Sequence, residues 1–206
     1  MLFSRLMVRR IRLGSGLLLL LFVAGHLSNL GLGLVSVDAM ERSRGALLMP
    51  WQTRFGQALL VAAAIVHAGL GLASLASRHS LAMSRTDWVQ LLLGVATPPL
   101  LLNHVVGLQV TNDLVARFNA DYGYVLAVYW RYAPLFALQQ LLVVVIVWAH
   151  GAIGLYSTLV LKRAWPRVAP IVVPMLFAIP ILALLGLRTP ARRCWLGLRA
   201  TPLGGP

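Results

Sequence analysis

Four histidines stand inside four separate apolar stretches of the chain: His26, His67, His104 and His150. An ionisable side chain is expensive in the hydrocarbon core of a bilayer, so each marks a place where function is the default reading. Imidazoles on facing helices can close on one metal ion from opposite sides. Four of them, one per helix, make two pairs, which is the ligand set of two bis-histidine b-type haems. Such a domain handles electrons or senses redox state. Competing readings are histidines satisfied by neighbouring helices, a proton or ion relay, and a non-haem metal site. The last is disfavoured because no carboxylate falls within the apolar stretches. Asp38, Glu41, Asp87, Asp113 and Asp121 all lie at edges or in loops.

The residues around the histidines suit a flat macrocycle. Gly25 and Ser28 flank His26, Gly69 and Gly71 follow His67, Gly107 follows His104, and Gly151 and Gly154 follow His150. A porphyrin held by a helical histidine lies against that helix, so small neighbours make room; close helix packing uses the same residue types. Haem propionates need cationic partners, for which Arg54 and Arg131 are candidates on the outer side and Arg78 and Arg163 on the inner side. Asn29, Asn103, Tyr124 and Trp130 are candidate quinone contacts, although amides inside a bundle more often join helices. Gln139 and Gln140 are the other polar residues of the spans, and His79, in a loop, takes no role.

The elements that must position these residues follow from composition. The chain has 206 residues, 59% hydrophobic and 11% charged, with mean hydropathy +0.82. A soluble domain carries about 25% charged residues, so this is an integral membrane protein, all-α. Hydropathy predicts five transmembrane helices, near Leu13–Val37, Phe55–Ser77, Trp88–Val110, Ala133–Leu161 and Val168–Leu187. Each is long enough to cross a core of about 30 Å. The expected organisation is one haem-binding helical bundle over residues 1–187 and a basic tail, disordered or truncated, over 188–206. The fifth helix carries Pro170, Pro174 and Pro180, predicts a kink, and has no histidine, so it reads as packing support.

Depth sorts the histidines. With the N-terminus inside, His26 lies about 20 Å and His104 about 24 Å above the inner edge. His67 lies about 18 Å below the outer edge, with His150 deeper on a longer helix. The expected pairs are His26 with His104 (outer) and His67 with His150 (inner).

Orientation rests on Lys and Arg in the flanks. An inside N-terminus places nine in inner segments (Arg5, Arg9, Arg10, Arg12, Arg78, Arg85, Lys162, Arg163, Arg167) and five in outer loops (Arg42, Arg44, Arg54, Arg117, Arg131). The tail arginines Arg188, Arg192, Arg193 and Arg199 fall outside and oppose this pattern. A sixth helix missing from this sequence would explain them. The longest outer loop, Thr111–Tyr132, holds Tyr122, Tyr124, Tyr129, Trp130 and Tyr132. It reads as an interfacial aromatic belt, or as a lid or quinone surface.

Several classes are excluded. The net charge of +13 does not point to nucleic acid, because the arginines sit at the ends of apolar runs where they meet lipid headgroups. Cys194 is the sole cysteine, which excludes an internal disulfide, a cysteine zinc site or an iron–sulfur cluster in this chain. The first apolar run is too long for a signal peptide and is expected to stay uncleaved.

The segments FVAGHLSNLGLGLVSVDAME, PPLLLNHVVG, YGYVLAVYW, WAHGAIGLY and PILALLGL resemble the N-terminal membrane domain of a group of bacterial class III adenylate cyclases. The resemblance covers about Phe22–Leu187, and PPLLLNHVVG is its most specific piece. That domain has six helices and is similar to the dihaem cytochrome b anchors of succinate dehydrogenase and fumarate reductase. A [2Fe-2S] ferredoxin-like domain and a cyclase catalytic domain follow it. The resemblance implies two b-type haems on His26, His67, His104 and His150, redox or quinone sensing, and control of cyclic AMP synthesis. It implies a bacterial inner membrane, iron–sulfur and cyclase partners in cis or as another chain, and a homodimer. Leu30 and Tyr156 stand where the family pattern often has further histidines. The sixth helix, ferredoxin cysteines and catalytic carboxylates are absent, so the chain is not expected to make cyclic AMP itself. The competing functions are a cytochrome b anchor subunit of a respiratory complex and a haem-free membrane anchor or transporter.

Overall fold

The computed structural model describes residues 2–78, 80, 82–114 and 121–199, and for 2–5, 108–114 and 189–199 the backbone alone. Helix α1 runs Leu2–Gly31 and ends in a 3-10 turn, Leu32–Leu34. The backbone then turns extended at Ser36, whose side chain accepts a hydrogen bond from the Ala39 amide and so caps α2, Val37–Gln52. Thr53 caps α3, Arg54–Ala76, in the same way through the Gly56 amide. A Cβ at Gly56 would collide with the Pro50 carbonyl, so this sharp α2–α3 corner requires glycine. Helix α4 is Arg85–Leu114, with Pro98 and Pro99 inside it. A short α5, Tyr122–Ala127, passes into a π turn, Val128–Tyr132. Pro134, whose missing N–H costs nothing at a helix start, opens α6, Pro134–Leu159. Helix α7 is Trp165–Arg199.

Five of these helices are long and apolar enough to cross a membrane: Leu6–Leu34, Arg54–Ala76, Arg85–Gly107, Pro134–Leu159 and Trp165–Arg188. The protein is an all-α, multi-pass membrane bundle. Its outward faces carry bare apolar side chains such as Leu21, Val61, Ile65, Leu92 and Phe177, as a lipid-facing surface must.

Three differences from the expected elements matter. The stretch after the first span is an ordered helix, α2, whose Met40 and Leu48 are buried. Its charged residues Glu41, Arg42 and Arg44 had disguised it as a loop. The outer aromatic segment is helical from Tyr122 to Tyr132, and α4 extends into its start as far as Leu114. The last helix continues to Arg199, beyond the expected end at Leu187. The outermost residues of the expected tail, 200–206, lie outside the described residues, as do Arg117 and His79.

Helix α1 is the hub. It packs along α7 and α3 and touches α2 and α6, while α4 packs on α6. Leu27, Leu30, Met40, Val144, Trp148 and Ala183 form the core where α1, α2, α6 and α7 meet. Trp148 fixes α6 to α7 by donating its indole N–H to the Leu176 carbonyl at 2.7 Å. By contrast, α1 and α4 approach each other little, and so do α3 and α6. These are the helix pairs that carry facing histidines.

Candidate functional site: two tiers of facing histidines

His26 on α1 faces His104 on α4 with ring centres 6.0 Å apart and planes inclined at 56°. His67 on α3 faces His150 on α6, again at 6.0 Å, with planes at 85°. A metal–imidazole nitrogen bond is about 2 Å. With about 1.2 Å from nitrogen to ring centre, two rings gripping one ion from opposite sides have centres about 6 Å apart. The centre-to-centre spacing of each pair matches that distance. The pairs are those expected from depth.

The His26–His104 tier, expected on the outer side, is built from α1, the end of α2 and α4. Phe22 stacks on His26 at 5.9 Å with 13° between planes, and Trp51 meets Phe22 edge-on at 5.8 Å. These ring contacts tie Trp51, near the end of α2, to the α1 face that carries His26. His104 Nδ1 is buried without a hydrogen-bond partner. A buried polar atom left unpaired is costly and calls for an unmet partner.

The inner tier is fixed differently. His67 Nδ1 lies 3.0 Å from the Arg12 carbonyl, and His150 Nδ1 lies 3.1 Å from the Gln90 carbonyl. A carbonyl only accepts, so both Nδ1 atoms carry a proton, and in the neutral ring this leaves the lone pair on Nε2. Gln90 also returns a bond, from its side-chain amide to the His150 carbonyl at 3.0 Å. Each inner ring lies over a glycine. A Cβ at Gly16 would come within 2.7 Å of His67 Cε1, and one at Gly94 within 2.8 Å of His150 Cε1.

Sequence reasoning missed Gly16, Gly94 and the two carbonyls. A signal for them exists as an internal repeat. Arg12 and Gln90, Gly16 and Gly94, and His26 and His104 are each 78 residues apart. His67 and His150 are 83 apart, as are Gly71 and Gly154, so the histidine and notch-glycine positions of α1 recur in α4 at one offset and the histidine of α3 recurs in α6 at another. Ten residues separate each notch glycine from the outer histidine on its helix, which places the tiers about 15 Å apart along the bundle.

The glycines expected to make room differ: a Cβ at Gly25 would only touch the Leu47 carbonyl, at 3.6 Å. An added Cβ at Gly69, Gly71 or Gly107 would meet nothing within 4 Å, whereas Gly151 is filled by Leu20 and Gly154 by the Gln90 amide. Asn29 is fully buried and its amide is engaged: Nδ2 donates to the Met40 carbonyl and Ser43 Oγ, and Oδ1 accepts from the Tyr122 hydroxyl. Asn103 donates to Gln139 Oε1 at 3.3 Å, and Gln139 donates to the Leu100 carbonyl, so these amides join α4 to α6. Tyr124 is exposed, with its backbone N–H held by Asp121. Trp130 lines a crevice with Tyr129, Gln140 and Leu187 whose free volume of about 10 Å³ is room for one water.

Arg54, Arg78 and Arg163 are exposed at helix ends, and Arg131, in the π turn, lies 5.7 Å from the centre of the Tyr132 ring. Among the described residues no cluster of three or more His, Cys, Asp and Glu side chains comes together. No family model, no curated protein and no solved structure matches this chain.

Proposed function

We propose that this chain is a haem-b-binding membrane domain in which two bis-histidine sites, one per tier, report redox or quinone state to an effector. The observation that carries the reading is the repeated 6.0 Å pairing of imidazoles across gaps between helices that otherwise approach little. Among the described residues each pair offers two histidines and no third His, Cys, Asp or Glu, so an ion there must bring its remaining ligands with it; a porphyrin supplies four in one plane. The Nδ1–carbonyl bonds of His67 and His150, which leave Nε2 as the ligating nitrogen of a neutral ring, and the buried His104 ring with its unpartnered Nδ1 support that reading.

His26 and His104 would hold the outer haem, His67 and His150 the inner. Bound haem supplies reversible one-electron exchange at these positions. The protein's own work is to orient the rings and exclude water with apolar walls. It also sets charge at the rim, where Arg54 and Arg131 outside and Arg78 and Arg163 inside are the cations available to propionates. Quinone at the outer aromatic segment would be the exchange partner in lipid. The quoted segments suggest adenylate cyclase as the effector, in the inner membrane of a bacterium with the N-terminus in the cytoplasm. A cytochrome b anchor of a respiratory complex would use the same tiers and differs in co-purifying with flavoprotein and iron–sulfur subunits. In a haem-free anchor or transporter the histidines would be structural.

The test is a pyridine haemochrome assay on protein purified from a haem-replete host. About two haems b per chain are expected. His26→Ala and His67→Ala should each remove one and leave the other. Colourless protein, or full haem content in all four single histidine variants, overturns the reading.

A further inference from the structure

We propose that the Arg12 carbonyl with Gly16, and the Gln90 carbonyl with Gly94, are a matched pair of docking notches that orient the inner-tier imidazoles. The inference rests on the haem reading and deepens it. In each notch a backbone carbonyl on one helix takes the Nδ1 proton of a histidine on the next, at 3.0 Å for His67 and 3.1 Å for His150. The glycine four residues on, hence on the same helix face, leaves space into which the ring settles. A methyl at either glycine would stand 2.7 Å or 2.8 Å from the ring's Cε1, closer than such atoms come. The carbonyl bond selects the tautomer and the glycine sets the ring's depth, so Nε2 is the nitrogen presented across the gap. The 78-residue register shared by both notches and by His26 and His104 makes the device a property of the repeat rather than of one site. Gly16 and Gly94 are thus positioning residues.

The experiment compares Gly16→Ala and Gly94→Ala with Gly14→Ala, a control on the helix of Gly16 whose added Cβ meets nothing within 4 Å. Haem per chain, redox titration and low-temperature electron paramagnetic resonance of the ferric protein are read for each. In each notch variant the inner site should lose its haem or shift in potential and low-spin signal, while the outer site and the Gly14→Ala protein stay unchanged. Two unaltered haem signals in both notch variants overturn the proposal. As a measurement that needs no variant, nitrogen-15 histidine resonance of the reduced, diamagnetic holoprotein should show Nδ1–H on both inner rings. Iron bound through Nδ1 there overturns it as well. Protein without haem before any substitution rejects the haem reading instead, so the two failures are distinct.

Discussion

Asn29 joins three elements with one amide. From α1 it donates to the Met40 carbonyl at 2.9 Å and Ser43 Oγ at 2.7 Å on α2, and it accepts from the Tyr122 hydroxyl of α5 at 2.5 Å. Asn29→Ala would leave the Tyr122 hydroxyl short of its partner in a buried setting, at a cost of about 1–3 kcal/mol. Thermal unfolding in detergent measures it, and combining it with Tyr122→Phe should cost less than the two changes added. Burial pushes the Tyr122 phenol up from its ordinary 10.0 to about 12, with Arg44 pulling it down and Glu41 pushing it up. The folded value lies above the unfolded one, so this group's stabilisation is complete below about pH 10 and is lost as pH rises towards 12. An alkaline melting series should show that loss, and Tyr122→Phe should flatten it. How much could be read in advance divides here by whether a residue sits inside a span. The histidine pairs were legible because depth follows from position along a span. The closure of Asn29 by Tyr122 was not, because Tyr122 lies between spans, on α5, where no depth argument places it. The inner notches were hidden because half of each is backbone carbonyl, which has no letter in the sequence.

The five spans were legible to within a few residues at most ends because bilayer thickness dictates a long apolar run. Helix α2 was not, since it lies between spans and its pattern mixes buried Met40 and Leu48 with charges that pair locally, Arg42 with Asp38 and Arg44 with Glu41. The fifth span was read as packing support, and the contacts of α7 show how it packs. A Cβ at Gly186 would run into the Leu30 carbonyl at the end of α1, and one at Gly33 into the Gly186 carbonyl. This is a backbone-to-backbone crossing that any larger residue forces open. Gly186→Ala should therefore lower stability by roughly 1–3 kcal/mol, the usual range for overpacking. Gly69→Ala, with open space around the new methyl, should be near neutral in the same melting assay. Equal effects of the two would show that the crossing is not tight.

At the scale of the whole molecule, five spans put the two ends of the bundle on opposite sides of the membrane. Charge alone does not choose which. An inside N-terminus gives nine Lys and Arg inside and five in the outer loops, and the four tail arginines raise the outer number to nine as well. The tie breaks in favour of the first helix, whose flank usually dominates insertion. Arg9, Arg10 and Arg12 precede its apolar run, at the end where the inner tier takes its Arg12 contact. An inside N-terminus puts the His67–His150 tier near the cytoplasm and the His26–His104 tier, with α2 and α5 over it, near the outer face. Cys194, the sole cysteine, follows the last span and serves as a native probe. In intact cells a membrane-impermeant maleimide should label it without permeabilisation, and Cys194→Ser should abolish the labelling. Labelling that appears only after the membrane is opened would invert the bundle, and with it the assignment of outer and inner tiers.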